Sequence, residues 1–317
     1  MSLVSIIFLF TIPIFVNADI DIASLQNKFY NDVLKRNIYR ERFNTYFNKH
    51  CANNDIQCYE KLILKIEQWE TTKNDILFDK KIKKIDNLRY IDEMYWDRIK
   101  LKLRDDLYYL LYRTQFVSIV DLSKQLYILV IWNEEDEQFY FIGSDLIISG
   151  DKKREIEVQL GEDHYFDSPV GVFKLKSGWR SSGKYKHNGT SKTNVLNLPY
   201  GEENRYVFYF GEQYSTRYNT FDNNGSKITN KDDWKVITDK LNFAMHANKS
   251  FLPFGKKGSH GCIRMSNELN LFLDNNSVFH KKEYLDNKWI SKYSKPPQMA
   301  NYIEYAGEYL IIFDKIE

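Results

Sequence analysis

Two hydrophobic periods divide this chain. From residue 24 to about 115, apolar side chains recur at three- to four-residue steps with charges between them, the spacing of one helix face. Phe29, Val33, Phe43 and Phe47 form one stripe, with Arg36 and Arg40 at the same step. Leu62, Ile63, Ile66 and Trp69 form a second. Ile82, Ile85, Leu88, Ile91 and Tyr95 make a third, and Ile99, Leu103, Leu107 and Leu110 a fourth. Asn53-Asn54-Asp55 supplies a turn and an N-cap between the first two. No Gly or Pro falls between Ala18 and Phe141, which suits a helical bundle. Core packing accounts for these stripes.

Near Phe116 the text turns β-branched and aromatic. Val117 to Trp132 predicts a hairpin that turns at Asp121–Lys124. Phe139–Ile142 and Asp145–Ser149 read as two short strands, and Ser168-Pro169 as a turn into a strand ending at Leu175. Tyr206–Phe210, Phe243–His246 and Tyr309–Phe313 read as strands too. One helix stands out here, from about Asn267 to Asn275. The C-terminal two-thirds is thus mainly β, a sandwich or open barrel, and the whole chain is α+β. Residues 178–235 are polar and rich in Asn, Gly and Ser. A loop that long is usually functional or disordered, and it reads as a lid-like insertion over a site.

Composition narrows the function. The 317 residues carry 43% apolar and 28% charged side chains, ordinary for a globular protein. The net charge of +2 implies no large basic field, so nucleic acid is not expected as a partner. Leu3 to Val16 has no charge, and Val16 and Ala18 place small residues before Asp19. That predicts a signal peptide over 1–18 and a periplasmic location. The run is short for a membrane span of ~20 residues, although Met1-Ser2 lacks a basic residue and an uncleaved anchor is the alternative. No Cys follows the run, unlike a bacterial lipoprotein signal. In an exported protein Cys51 and Cys58 read as a disulfide pair. Of the three cysteines, Cys262 is then the odd one. His164 and His187 sit in polar loop text, and His50 and His280 read as surface residues.

The chemistry concentrates around that thiol. Phe243-Ala-Met-His246-Ala247 is followed, after a loop, by Ser259-His260-Gly261-Cys262-Ile263-Arg264. A thiol is a nucleophile as thiolate, and a nearby imidazole is the usual means of making one. Gly261 permits the sharp backbone that presents Cys262. The Gly261 and Cys262 N–H groups are candidates for an oxyanion hole. Arg264 suits a substrate carboxylate or, equally, a structural ion pair. His246, His260 and Cys262 as metal ligands form the competing reading, but no CxxC or HExxH partner accompanies them. No metal or cofactor is expected.

These residues resemble the L,D-transpeptidases with a YkuD-type catalytic domain. The family's His, loop and Ser/Thr-His-Gly-Cys signature matches His246 and Ser259–Arg264. Its opening strand resembles Ile119–Gln125, and its Thr/Ser-Pro-x-Gly-x-Phe element resembles Ser168–Phe173. The resemblance spans about 117 to 275. It does not cover the helical region, so with the pattern above the α+β chain divides into a helical accessory domain over 19–115, a catalytic domain over 116–280 and a C-terminal extension over 281–317 ending in a strand. It implies Cys262 as nucleophile, His246 as base, the Ala247 carbonyl as orienter of His246, His260 as architecture or assistant, and Gly261 and Cys262 N–H as oxyanion donors. Ser259 and Arg264 would contact substrate. The implied donor is a peptidoglycan tetrapeptide stem that releases D-Ala. The acceptor is a diaminopimelate amine, giving a 3-3 crosslink, or a lysine of an outer-membrane protein. With water as acceptor the enzyme is an L,D-carboxypeptidase. A non-catalytic peptidoglycan-binding protein is the reading from a different class. No partner for the helical region is implied.

Overall fold

The computed structural model describes residues 20–37, 88–153, 165–182, 185–187, 190–192, 200–222, 224, 226–248, 254–280 and 303–317. The expected signal segment, the Cys51–Cys58 pair, His50, His164, the His187 side chain and the stripes between 38 and 87 lie outside them. No helix among the described residues is long and apolar enough to cross a membrane.

The strands, in chain order, are β1 (Gln115–Asp121), β2 (Leu126–Asn133), β3 (Gln138–Leu146), β4 (Gly171–Lys174), β5 (Ser177–Arg180), β6 (Tyr185–His187), β7 (Thr190–Lys192), β8 (Tyr206–Asn219), β9 (Lys235–Ala247), β10 (Ile263–Met265) and β11 (Tyr309–Phe313). The α-helices are α1 (Ile22–Phe29), α2 (Glu93–Leu107) and α3 (Asn267–Asn275). A five-stranded sheet runs β3-β2-β1-β11-β4, and a four-stranded sheet runs β10-β9-β8-β5. The terminal strand β11 sits inside the first sheet, parallel to β1 and antiparallel to β4.

Alternation explains the layers. On β1, Phe116 and Val120 point into a core shared with Tyr206, Phe208, Phe243, Met245 and Ile263 of the second sheet. Val117 and Ile119 point the other way, beneath Tyr95, Ile99, Leu103 and Leu107 of α2. β1 is buried at every position, so it reads as a near-continuous apolar run rather than an alternating one. α1 enters the inter-sheet core through Leu25 and Phe29. Asp121 closes the β1–β2 turn, accepting from the N–H groups of Ser123 and Lys124 at 2.8 and 3.1 Å. Its second oxygen accepts from the Tyr95 hydroxyl at 2.6 Å and ties down α2. Burial, and then the bond to that carboxylate, push the Tyr95 phenol well above its ordinary pKa.

Asp145 forms a second buried anchor. It accepts from Arg89 Nε at 2.8 Å, Asn37 Nδ2 at 2.6 Å and Ser266 Oγ at 2.9 Å. Ser266 is also the N-cap of α3, accepting from Leu269 N–H at 3.0 Å.

Three expectations change. Phe139–Ile142 and Asp145–Ser149 are not separate strands. Residues 138–146 form the single strand β3, which pairs along β2 through one register shift. The polar stretch 178–235 is not one long loop, since it holds part of β5, the β6–β7 hairpin and all of β8. β8 and β9 pair as far as Asn219 and Lys235, and Tyr214 and Val236 there are 67% and 53% exposed. One face of this ribbon is open to water and the other lays the polar side chains Ser215 and Arg217 against Phe166 and Asp167, so it carries polar residues on both faces and loses the strand signature. Finally, His280 is not at the surface. It is fully buried between the rings of Tyr206 and Phe208, with Nε2 3.5 Å from Asp274 Oδ1. The chain turns inward after α3 on the buried pair Val278-Phe279.

Candidate active site

Register decides which side chains meet. β9 and β10 run parallel, with Ile263 beside Met245, Arg264 beside His246 and Met265 beside Ala247. Met245, Ile263 and Met265 fill the inter-sheet core. His246 and Arg264 therefore share the opposite, outer face. Cys262, one residue before β10, continues the register to Ala244 and to that same face. Two residues of strand rise and one strand spacing put the Cα atoms of Cys262 and His246 about 8 Å apart.

His246 is 3% exposed, and its Nδ1 lies 2.9 Å from the Ala247 carbonyl. A carbonyl only accepts, so Nδ1 carries the proton, and in the neutral ring Nε2 keeps its lone pair. The half-buried Cys262 thiol donates to Asn242 O, with Sγ at 3.6 Å.

A glycine and two serine side chains shape the turn before Cys262. Gly261 adopts φ +123°, and a Cβ there would lie 2.7 Å from Leu241 Cδ2 and 3.0 Å from Phe166 Cβ. The fully buried Ser259 accepts from Gly261 N–H at 3.1 Å and donates to the Cys262 carbonyl. Ser168 Oγ donates to Gly261 O at 2.6 Å while accepting from Gly150 N–H at 2.9 Å. Ser168, from the Ser-Pro element, thus connects that element to the cysteine turn. On its other side β10 is held by Ile148, which exchanges two backbone bonds with Arg264 at 2.8 and 2.9 Å.

His260 and Arg264 act together. The His260 ring stacks on Tyr165 at 3.9 Å, and Arg264 Nη2 donates to His260 Nδ1 at 2.9 Å. A guanidinium only donates, so His260 accepts at Nδ1 and a neutral ring carries its proton on Nε2. Of the expected site residues, His246, Ala247, Ser259, His260, Gly261, Cys262 and Arg264 thus fall on the two adjoining strands and the turn leading into β10. Among the described residues no three His, Cys, Asp or Glu side chains are arranged to hold a metal ion.

Sequence reasoning missed an aromatic wall. Tyr209 on β8 pairs in register with Ala244, and Trp179 on β5 with Val207. Both therefore point to the outer face, and Tyr209 donates to Asn242 Oδ1 at 2.9 Å. The Tyr200 ring stands edge-on to His246 at 5.0 Å. Only the pairing register singles out Trp179 and Tyr209 among so many aromatics, and only the close pass of Gly201 over Ala247 singles out Tyr200.

A family model for the L,D-transpeptidase catalytic domain (YkuD) matches residues 115–276. The chain belongs to this family. Among solved structures it is similar to that of Bdellovibrio bacteriovorus Bd1075, with 16% identity and a TM-score of 0.31, over 65% of this chain and 50% of the other. It is also similar to L,D-transpeptidase 3 from Mycobacterium tuberculosis, with 12% identity and a TM-score of 0.25, over 63% of this chain and 61% of the other. The chain thus spans about half to three-fifths of the length of these structures. No curated protein matches it.

Proposed function

We propose that this chain is an exported L,D-transpeptidase that works through an acyl-enzyme on Cys262. What supports this reading is the register that sets Arg264 beside His246, with Cys262 two residues before Arg264, and the tie of His246 Nδ1 to the Ala247 carbonyl. That bond leaves Nε2 as the proton acceptor for the thiol.

The reaction follows from those roles. His246 Nε2 takes the thiol proton, and the sulfur attacks the carbonyl joining diaminopimelate to D-Ala in a tetrapeptide stem. A C–S bond forms and the amide C–N bond breaks. His246 returns the proton to the departing D-Ala amine. An acceptor amine then attacks the thioester, gives its proton to His246, and the thiol is restored. Cys262 N–H is the backbone donor at the oxyanion. Gly261 N–H, in its bond to Ser259, shapes the turn and joins as second donor when substrate draws it outward. Arg264, steadied by His260, faces a stem carboxylate. A diaminopimelate amine or a protein lysine serves as acceptor. Water in that role gives L,D-carboxypeptidase activity, the second reading of the same site.

Incubation of the purified chain with a disaccharide-tetrapeptide, followed by mass spectrometry, tests this. Crosslinked dimer with released D-Ala is expected, and tripeptide with released D-Ala marks the carboxypeptidase. Equal turnover by Cys262→Ala would overturn both.

A further inference from the structure

The outer face of the four-stranded sheet changes chemistry from edge to edge. At the β10 edge Arg264 lies beside Cys262. Lys152 and Lys257 converge there on Asp167 at 2.8 and 3.9 Å, next to the Ser168 that holds Gly261. At the β5 edge the side chains are aromatic. Ring centroids step from His246 to Tyr200 at 5.0 Å, from Tyr200 to Trp179 at 5.8 Å and from Trp179 to Tyr209 at 5.9 Å. The arginines near this edge face carboxylates of their own, Arg180 with Asp274 and Arg205 with Glu202. Tyr200 reaches His246 because Gly201, at φ +82°, passes tightly over the end of β9. A Cβ there would lie 2.6 Å from Ala247 Cβ. Tyr200 is 41% exposed, and Trp179 and Tyr209 are partly exposed.

We infer that the aromatic edge is a sugar subsite, which stacks a pyranose ring of the glycan carrying the donor peptide. This rests on the donor proposed above. A stem peptide is rich in carboxylates, which match the cationic β10 edge. Its sugar is uncharged around the ring and presents C–H faces. Those faces pack on flat aromatic rings while the hydroxyls stay in water. The distances agree as well. From Cys262, just before β10, to Trp179 on β5 is three strand spacings across and two residues along the strands, about 16 Å. Three extended stem residues cover roughly 10 Å, and the lactyl link to the sugar supplies most of the rest. The donor lies across the strands, with its carboxylates toward β10 and its sugar toward β5.

The test compares kcat/KM on disaccharide-tetrapeptide with kcat/KM on free tetrapeptide, for wild type, Trp179→Ala and Trp179→Phe. Wild type is expected to favour the glycosylated donor by about tenfold or more, as one stacked ring contributes roughly a tenfold factor. Trp179→Ala should bring that ratio close to one, and Trp179→Phe should keep most of it. A ratio near one in wild type, or an unchanged ratio in Trp179→Ala, overturns the subsite. Calorimetric binding of both donors to Cys262→Ala separates this proposal from the reaction. Sugar-dependent affinity that the added Trp179→Ala change removes supports the subsite even without turnover. Equal affinity for both donors overturns the subsite while leaving the reaction standing.

Discussion

Ser168→Ala probes the support beneath the nucleophile. Ser168 is 5% exposed, and its hydroxyl joins two backbone groups, Gly150 N–H at 2.9 Å and Gly261 O at 2.6 Å. Each such bond contributes a net ~0.5–1.5 kcal/mol, and a buried donor left unmet costs ~1–3 kcal/mol. Alanine removes both bonds at once without adding volume, so a loss of about 2–3 kcal/mol is expected. Urea unfolding of the full chain reads this as a lower midpoint with an unchanged slope. Release of the Gly261 carbonyl also lets the Cys262 turn drift, and kcat should fall roughly tenfold or more. The exposed Ser177→Ala serves as control, expected within about 0.5 kcal/mol of wild type. If Ser168→Ala costs no more than that control and leaves kcat intact, the Ser-Pro element does not hold the turn.

Gly261→Ala forces a side chain into φ +123° and against Leu241 and Phe166. It should destabilise by about 2–5 kcal/mol, visible as a lower thermal midpoint by circular dichroism. Asp145→Ala strips the carboxylate from buried Arg89 and from Asn37, and a loss of about 3–5 kcal/mol is expected in denaturant titration. Burial holds the His280 pKa below its ordinary 6.5, against the upward pull of Asp274. The unfolded chain therefore takes up this proton at a higher pH than the folded one. His280 stabilises fully above pH 6.5, and that contribution drains away as pH falls toward the lowered value. His280→Phe should flatten this part of the curve when urea unfolding is compared at pH 7.5 and about 5.5.

Local chemistry was legible in the sequence where it was dense. The Asp121–Lys124 turn, the helix from Asn267 to Asn275 and the strand from Tyr309 to Phe313 each carry their own turn, cap or apolar run, and all three stand in the fold. The Ser259–Arg264 signature located the turn for the same reason. What escaped depends on distant partners. The start of β8, Tyr206–Phe210, read as a strand, but its outer half looked like loop because it carries polar side chains on both faces. Trp179 and Tyr209 looked like packing because only register shows which strand aromatics face outward, and Tyr200 because only the fold brings Gly201 over Ala247. His280 looked like surface because the turn that buries it follows α3 without a strong pattern. Ser168 was visible as part of a motif, but its bond to Gly261 spans residues far apart in the chain.

The measurement closest to the central claim traps the acyl-enzyme. Wild-type protein is quenched in acid seconds after mixing with tetrapeptide donor, then weighed intact and mapped by peptide mass spectrometry. A thioester-linked acyl group on Cys262 is expected, with D-Ala released. The adduct should be absent in Cys262→Ala and form far more slowly in His246→Ala. D-Ala release by Cys262→Ala, or an adduct on any other residue, would contradict the account.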